Sequence, residues 1–494
     1  MKGFGENISR KNYKYLTIRE KLINKAQTYQ NKGDLNVAAK CYENIIQRGL
    51  EDPNLLSNYG IILFELGYVE NAIDLFKKSI KKYPYESAFC INLSNIYKLK
   101  NDLINAEIFI RKSLKIDSKC LNSLNNLASI LILKKEFTKA EMISLNSLNI
   151  DNQNNLAHYN LGLIYSNLDR INDSIISFRK AIKFNPKDFA TNLNLGATLL
   201  KRGDYEESKK YNDVALQFNN ASYEAFFNLG QIDLFTGEIN SAIFNLKRSL
   251  FYKKDNYKIY RFLGIAEFLK GEKECLKNLK KSIEMNQEEN LSKVIFNLVH
   301  SKIINKNKEK YFEKRFQELH NSVPIILQRS IEKELIDYIY KRNTIDLNKY
   351  QDPTFGRARG TDYALFEDKS KILNVIKDDL KDKVKIFFNT EVYFIESFFT
   401  ILEGKSIVKK HNHLDNLDRL KNLDLYKNKY SLVYYIKTGD SNCSKPGFLK
   451  FYNPDAKLLP KPGMIVIFPA EYIHSVEYNG ESDRIILGIN FYIY

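Results

Sequence analysis

A small residue returns every 34 positions through the first 290 residues of the chain: Ala26, Gly60, Ser94, Ala128, Gly162, Gly196, Gly230 and Gly264. A period of this length makes each unit one supersecondary element, too small to bury its apolar face alone, so the units must stack. In the same frame Tyr59, Leu93, Leu127, Leu161, Leu195, Leu229 and Leu263 precede the small residue, and Gly33, Gly67, Asn101, Gly203, Gly237 and Gly271 follow it by seven. Later in the unit come Ala38, Ala72, Ala106, Ala140 and Ala242, then the aromatics Tyr42, Phe76 and Phe178, with Pro84 and Pro186 at the unit's end. Two helices per unit account for the pattern. The small residues let helices approach closely, the glycine turns the chain, and the aromatic packs against the next unit.

This pattern resembles the tetratricopeptide repeat over residues 19–290, about eight repeats, although the chain has no Trp, which the repeat usually carries. The resemblance implies an α-solenoid whose groove holds a peptide or partner protein, or serves as a rigid spacer. Residues 1–18 form an N-terminal extension. Residues 291–345 keep helical periodicity (Val294, Phe296, Leu298, Leu335, Ile336, Ile339) but lose the frame, and are expected to be bridging helices.

From about residue 390 the apolar period changes from helical to two, the period of a strand with alternating faces. Strands are expected over 391–401, 406–413, 431–437, 448–452, 464–468, 475–478 and 484–494, with Asn453-Pro454-Asp455, Lys461-Pro462-Gly463 and Asn479-Gly480 as turns. A helix is expected over 368–383. Residues 346–494 therefore read as a jelly-roll, or double-stranded β-helix, and the whole chain as multidomain α+β. The stretch from Asp352 to Gly360, which carries Arg357 and Arg359, reads as an irregular loop.

The formal charge of +17 prompts the question of nucleic acid, but Lys and Arg are interspersed with acids and Asn, and no nucleic-acid partner is expected. Cys41, Cys90, Cys120, Cys275 and Cys443 are scattered and odd in number, which suits reduced thiols and a cytoplasmic protein. No apolar run reaches membrane-spanning length, so no membrane partner is expected. No Gly-rich phosphate cradle opens a helix, which argues against a group transferase.

Three of the six histidines fall near the C-terminus, as His411-Asn412-His413-Leu414-Asp415 and His474. In an extended strand His411, His413 and Asp415 share a face, so two of them could bind one metal together with the distant His474. The ligand set stays open between His413, Asp415 and His474 on one hand and His411, His413 and His474 on the other. Two histidines and usually one carboxylate on one face of the ion is the pattern of non-haem Fe(II) oxygenases. Arg484 follows His474 by ten residues, and its planar fork suits an acidic cosubstrate. His158, His300 and His320 have no partner at ligand spacing and read as structural.

His411-x-His413, Ser431-Leu432-Val433-Tyr434-Tyr435, Pro446-Gly447-x-Leu449, Pro462 to Pro469, His474 and Arg484 to Phe491 together resemble the 2-oxoglutarate- and Fe(II)-dependent oxygenase superfamily over the last hundred residues or so. The resemblance implies hydroxylation of a C–H bond with Fe(II), 2-oxoglutarate and dioxygen, the oxoacid leaving as succinate. Arg484 would hold the far carboxylate. A hydroxyl residue often lies two after that arginine, whereas Ile486 stands here, so Tyr434 or Tyr452 would assist. Repeats before such a barrel are similar to aspartyl/asparaginyl and prolyl hydroxylases, which implies a protein side chain as substrate. The alternative is a repeat scaffold with a degenerate, non-catalytic barrel.

Overall fold

The computed structural model describes residues 19–304, 324–342, 344–346, 358–361, 363–404 and 406–494. The expected N-terminal extension, His320 and residues 352–357 lie outside them. The chain divides into two compact units, Met1–Ile164 with Lys183–Asn185, and Tyr165–Ile182 with Pro186–Tyr494.

In the first unit the helix over 19–31 pairs with Leu35–Gln47, Pro53–Glu65 with Val69–Lys82, Ser87–Leu99 with Leu103–Ile116, and Leu121–Leu133 with Phe137–Ile150. A fifth pair, Asn155–Asn167 and Ile171–Phe184, runs from one unit into the other. The second unit adds Phe189–Arg202 with Tyr205–Phe218, Tyr223–Thr236 with Ile239–Tyr252, and Tyr257–Lys270 with Cys275–Met285, then the single helix Asn290–Ile304.

The helices begin where a short polar side chain accepts an otherwise orphaned amide: Asp52 takes Leu55 N, Asp102 takes Asn105 N, Asp188 takes Thr191 N and Ser222 takes Ala225 N. Turns inside the pairs use left-handed residues. Gly203, Gly237 and Gly271 end their helices with φ of 92°, 88° and 82°, while Asn101, Lys135 and Asp169 take the same place with φ near 60°. The periodic small residue is where two helices of a pair touch. A Cβ on Gly60 would lie 2.3 Å from the Phe76 ring, and one on Gly230 2.7 Å from Leu246. Ser94 fills the position differently, its hydroxyl donating to Ala106 O at 2.7 Å.

The C-terminal part is an antiparallel sheet domain. Its strands are β1 (Ile325–Gln328), β2 (Ile345–Asp346), β3 (Ala358–Gly360), β4 (Val392–Leu402), β5 (Ser406–His411), β6 (Lys429–Thr438), β7 (Pro446–Tyr452), β8 (Asp455–Leu458), β9 (Met464–Pro469), β10 (His474–Tyr478) and β11 (Arg484–Ile493). They form a seven-stranded sheet in the order β1-β9-β6-β11-β4-β3-β2 and a four-stranded sheet in the order β5-β10-β7-β8. The helix Lys371–Phe388 covers one face of the larger sheet, burying Leu373, Ile376, Leu380, Val384 and Phe388 against Leu432, Tyr434, Ile436, Leu487 and Ile489. The alternate residues of the same strands face the other way: Tyr435, Val433 and Ile486 pack with Leu449, Phe451 and Val476 of the smaller sheet.

Within the expected bridging helices the structure differs. The helix Asn290–Ile304 is there, but Ile325–Gln328 is a strand paired with β9, and Leu335 and Ile339 of the helix Lys333–Lys341 join the sheet core. The final repeats of the second unit share a core with the sheet domain, where Phe262, Leu263, Val294 and Leu298 meet Leu417, Leu423, Tyr492 and Tyr494. No helix among the described residues is long and apolar enough to cross a membrane.

Candidate metal centre

His411 ends β5 and His474 begins β10, and the two face each other as cross-strand partners. His413 follows on the chain leaving β5, where its backbone amide donates to Ala470 O at 2.8 Å and ties it to the turn between β9 and β10. The strand geometry thus brings two distant segments together, and one imidazole nitrogen of each of the three histidines lies within 4.8 Å of the other two. The ring centroids are 4.3 Å apart for His411 and His474, 5.0 Å for His411 and His413, and 5.1 Å for His413 and His474.

Backbone carbonyls orient two of the rings. His411 Nδ1 lies 2.9 Å from Lys409 O and His474 Nδ1 lies 3.1 Å from Tyr472 O, which leaves Nε2 of each to face the cluster. Asn490 Nδ2 approaches His413 Nδ1 at 3.4 Å. Burial holds all three imidazoles below their ordinary value, His474 down to about 3, and for His413 the neighbouring rings and Lys429 add to the effect. They are therefore neutral at pH 7, the form that ligates a metal.

Asp415 does not join them. Its Oδ1 accepts from Leu417 N at 2.8 Å and Asp418 N at 3.0 Å, capping the turn that follows, and its Oδ2 lies 3.4 Å from Lys429 Nζ. The chain has left the strand after His411, so the two-residue alternation that would carry Asp415 to the histidine face ends before it. Of the two ligand sets left open by the spacing, the structure gathers the three histidines.

The cluster opens into a cavity of about 390 Å³ that Arg484 also lines. Arg484 is 1% exposed. Its Nη1 donates to the carbonyls of Pro446 and Gly447, while Nε and Nη2 have no partner. Burial holds its pKa below the ordinary value against the opposing pull of Tyr435 and Tyr478. A buried guanidinium with three of its five N–H donors open is costly for the fold and suited to a carboxylate ligand. Three neutral imidazoles are a donor set that suits a transition-metal ion.

Tyr434 and Tyr452 lie elsewhere. The Tyr434 hydroxyl donates to Ser330 O at 2.9 Å on the helix-covered face of the large sheet, and Tyr435, one residue on, is the tyrosine that lines the cavity, its ring 5.2 Å from the Arg484 guanidinium. Tyr452 bonds Ser475 Oγ at 2.9 Å and carries the Lys410 ammonium over its ring. Ile486 does line the cavity. Sequence reasoning missed Tyr435, Glu396, Asn490 and Lys429. Glu396 accepts from Asn490 Nδ2 at 2.6 Å, Ser431 donates to Asn490 Oδ1 at 2.7 Å, and the buried Lys429 pairs with Asp418 at 2.6 Å. Burial pushes the Asp418 carboxyl up to about 6 against the pull of Lys429. Of the Gly-rich stretch, Arg359 lies in β3 and pairs with Glu403 at 3.2 Å. His158 stacks on Phe184 and His300 lies against Phe296, neither beside another imidazole.

Family models of the tetratricopeptide repeat match residues 23–87, 87–120, 157–188 and 177–210. Among curated proteins none matches the chain in sequence. Solved structures similar to it include the APC/C hetero-tetramer Cut9–Hcn1, at 15% identity and a TM-score of 0.47, over 56% of this chain and 55% of that one. A tetratricopeptide repeat protein from Parabacteroides merdae is similar at 16% identity and a TM-score of 0.42, over 51% of this chain and 99% of the other. The protein YrrB, described as having an unusual peptide-binding site, is similar at 20% identity and a TM-score of 0.30, over 36% and 93%. The N-terminal part of the chain is a helical solenoid of tetratricopeptide repeats, and an antiparallel sheet domain follows it.

Proposed function

We propose that this chain is a 2-oxoglutarate- and Fe(II)-dependent dioxygenase, a hydroxylase whose repeats hold a peptide or protein substrate. The observation that carries the reading is one cavity lined both by three convergent imidazoles and by a buried guanidinium with two unpartnered nitrogens. The opposed seven- and four-stranded sheets support a double-stranded β-helix as the frame.

His411, His413 and His474 would hold the iron, and Arg484 the far carboxylate of 2-oxoglutarate through Nε and Nη2. When bound, iron and 2-oxoglutarate supply dioxygen activation, oxidative decarboxylation and C–H hydroxylation. The chain itself contributes position and shelter. Val408, Leu449, Val476 and Ile486 give the cavity apolar walls that exclude water, and the carbonyls of Lys409 and Tyr472 keep two imidazoles turned inward. Tyr435 flanks the guanidinium where a hydroxyl was expected two residues after it.

Anaerobically purified protein is expected to bind one Fe(II) and to release succinate from 2-oxoglutarate slowly without substrate. A second reading, a non-catalytic repeat scaffold with a degenerate barrel, is supported by family models that fall on the repeats and by a donor set without a carboxylate. Succinate no higher than in a metal-free blank selects that second reading.

A further inference from the structure

Across β4, β11 and β6 the register sets Glu396, Asn490 and Ser431 side by side, and direct cross-strand partners point to the same face of a sheet. Glu396 and Asn490 line the cavity. Asn490 is 3% exposed and lies beside the ring of His413. Of the three clustered histidines, His413 is the one whose ring has no backbone carbonyl to orient it among the described contacts, and the Asn490 amide stands in that place.

The amide is held from both ends. Its nitrogen donates to Glu396 at 2.6 Å, its oxygen accepts from the Ser431 hydroxyl at 2.7 Å, and the same nitrogen lies 3.4 Å from His413 Nδ1. A carboxylate only accepts, so Glu396 decides which end of the amide is the NH2, whereas a serine hydroxyl serves either end. The NH2 therefore turns its second hydrogen towards His413 Nδ1. A ring nitrogen that accepts carries no hydrogen, so the hydrogen of the neutral His413 ring sits on Nε2. His411 and His474 are set the other way. Their Nδ1 atoms face the carbonyls of Lys409 and Tyr472, which only accept, so their Nε2 atoms are bare and open to a metal.

We propose that Asn490 is the positioning residue of His413, and that Glu396 holds its amide in the orientation of the metal-free site and opposes metal uptake. This rests on the metal centre of the proposed function. A metal on His413 Nε2 moves the ring hydrogen to Nδ1, where it meets the NH2, so that two donors face each other. Turning the amide over removes the conflict: its oxygen then accepts from Nδ1 and its NH2 donates to Ser431, while Glu396 loses the donor it had. The consequence has a distinctive sign. By charge alone a carboxylate near a cation aids its binding. Here the neutral Glu396→Gln is the change that aids it, because a glutamine NH2 can donate to the turned amide.

The test uses the full-length protein, first metal-free and then titrated with Co(II) without oxygen. Histidine-selective isotope labelling and NMR of the metal-free protein, assigned with His411→Gln, His413→Gln and His474→Gln, read which ring nitrogen carries the hydrogen. Nε2 is expected in His413, and Nδ1 in His411 and His474. Glu396→Gln is expected to bind Co(II) about threefold tighter than the wild type, and Asn490→Leu about tenfold weaker. Glu396→Gln combined with Asn490→Asp, which always presents an acceptor to Nδ1, is expected to bind at least as tightly as the wild type. Hydrogen on Nδ1 of metal-free His413 overturns the proposal, as does Glu396→Gln binding Co(II) no tighter than the wild type; neither readout depends on Asn490→Leu being folded. No Co(II) bound by the wild type overturns the metal centre and this proposal with it, whereas wild-type binding with either contrary readout counts against this proposal alone.

Discussion

Two buried arginines in the second unit show how differently its repeats and its sheet domain treat charge. Arg261, in the repeat helix Tyr257–Lys270, pairs with Glu289 at 2.5 Å and leaves its Nε without a hydrogen-bond partner. Arg484, in β11, is at least as buried and meets two carbonyls and Tyr435. The same contrast holds elsewhere. Asp233, 1% exposed among the repeats, accepts from Ser241 at 2.6 Å, Asn245 at 2.7 Å and Lys209 at 3.2 Å, whereas each of the three imidazoles of the sheet cavity brings one nitrogen within 4.8 Å of the others. A buried polar group whose partners are all present needs none from outside, whereas Arg484 keeps two nitrogens for which the fold supplies no hydrogen-bond partner.

Substitutions sharpen that contrast. The largest effect is expected for His474→Ala, which should abolish iron-dependent succinate release while the repeats stay folded by circular dichroism; undiminished release would remove the metal reading. Arg484→Met comes next. Loss of a desolvated, charge-assisted pair should raise the KM for 2-oxoglutarate about 100-fold, close to 3 kcal/mol, and an unchanged KM would return Arg484 to a structural role. Tyr435→Phe should raise that KM by a smaller factor, and Tyr434→Phe should leave it unchanged while costing about 1 kcal/mol of stability through its lost bond to Ser330. The reverse outcome would mean the strand faces are assigned backwards. Among the repeats, Gly230→Ala should lower the urea midpoint by the equivalent of about 1–3 kcal/mol, because its Cβ would meet Leu246. The smallest change is Lys135→Asn, expected to add about 0.5 kcal/mol by placing a residue that tolerates φ near 60° in that turn.

The repeats were legible because one environment recurs along the chain: the Gly60 contact with Phe76 is made again at Gly230 with Leu246, so the period averages out local irregularity. The sheet domain offers each contact once. Its longer strands could be read from alternation, yet β6 is buried on both faces, and alternation alone does not say which tyrosine of Tyr434-Tyr435 looks into the cavity. Strand β1 is four residues long and is set by its pairing with β9, a partner that local pattern does not reveal. His411, His413 and His474 were readable as candidates by residue type. The choice between His411 and Asp415 depended on where β5 ends, and helix and strand ends are the least readable feature of a sequence. Asp169 was hidden for another reason: its place in a repeat turn reads as packing, and only the docked sheet domain makes it a cavity wall.

The central claim is that three imidazoles, with no carboxylate, hold one metal ion. Anaerobic Fe(II) titration of the wild type, His411→Ala, His474→Ala and Asp415→Ala, read as iron retained per chain after desalting, tests it most directly. One equivalent in the wild type and in Asp415→Ala, with loss in both histidine variants, is the expected result. Iron kept by His474→Ala, or lost from Asp415→Ala while His411→Ala retains it, would contradict the assignment.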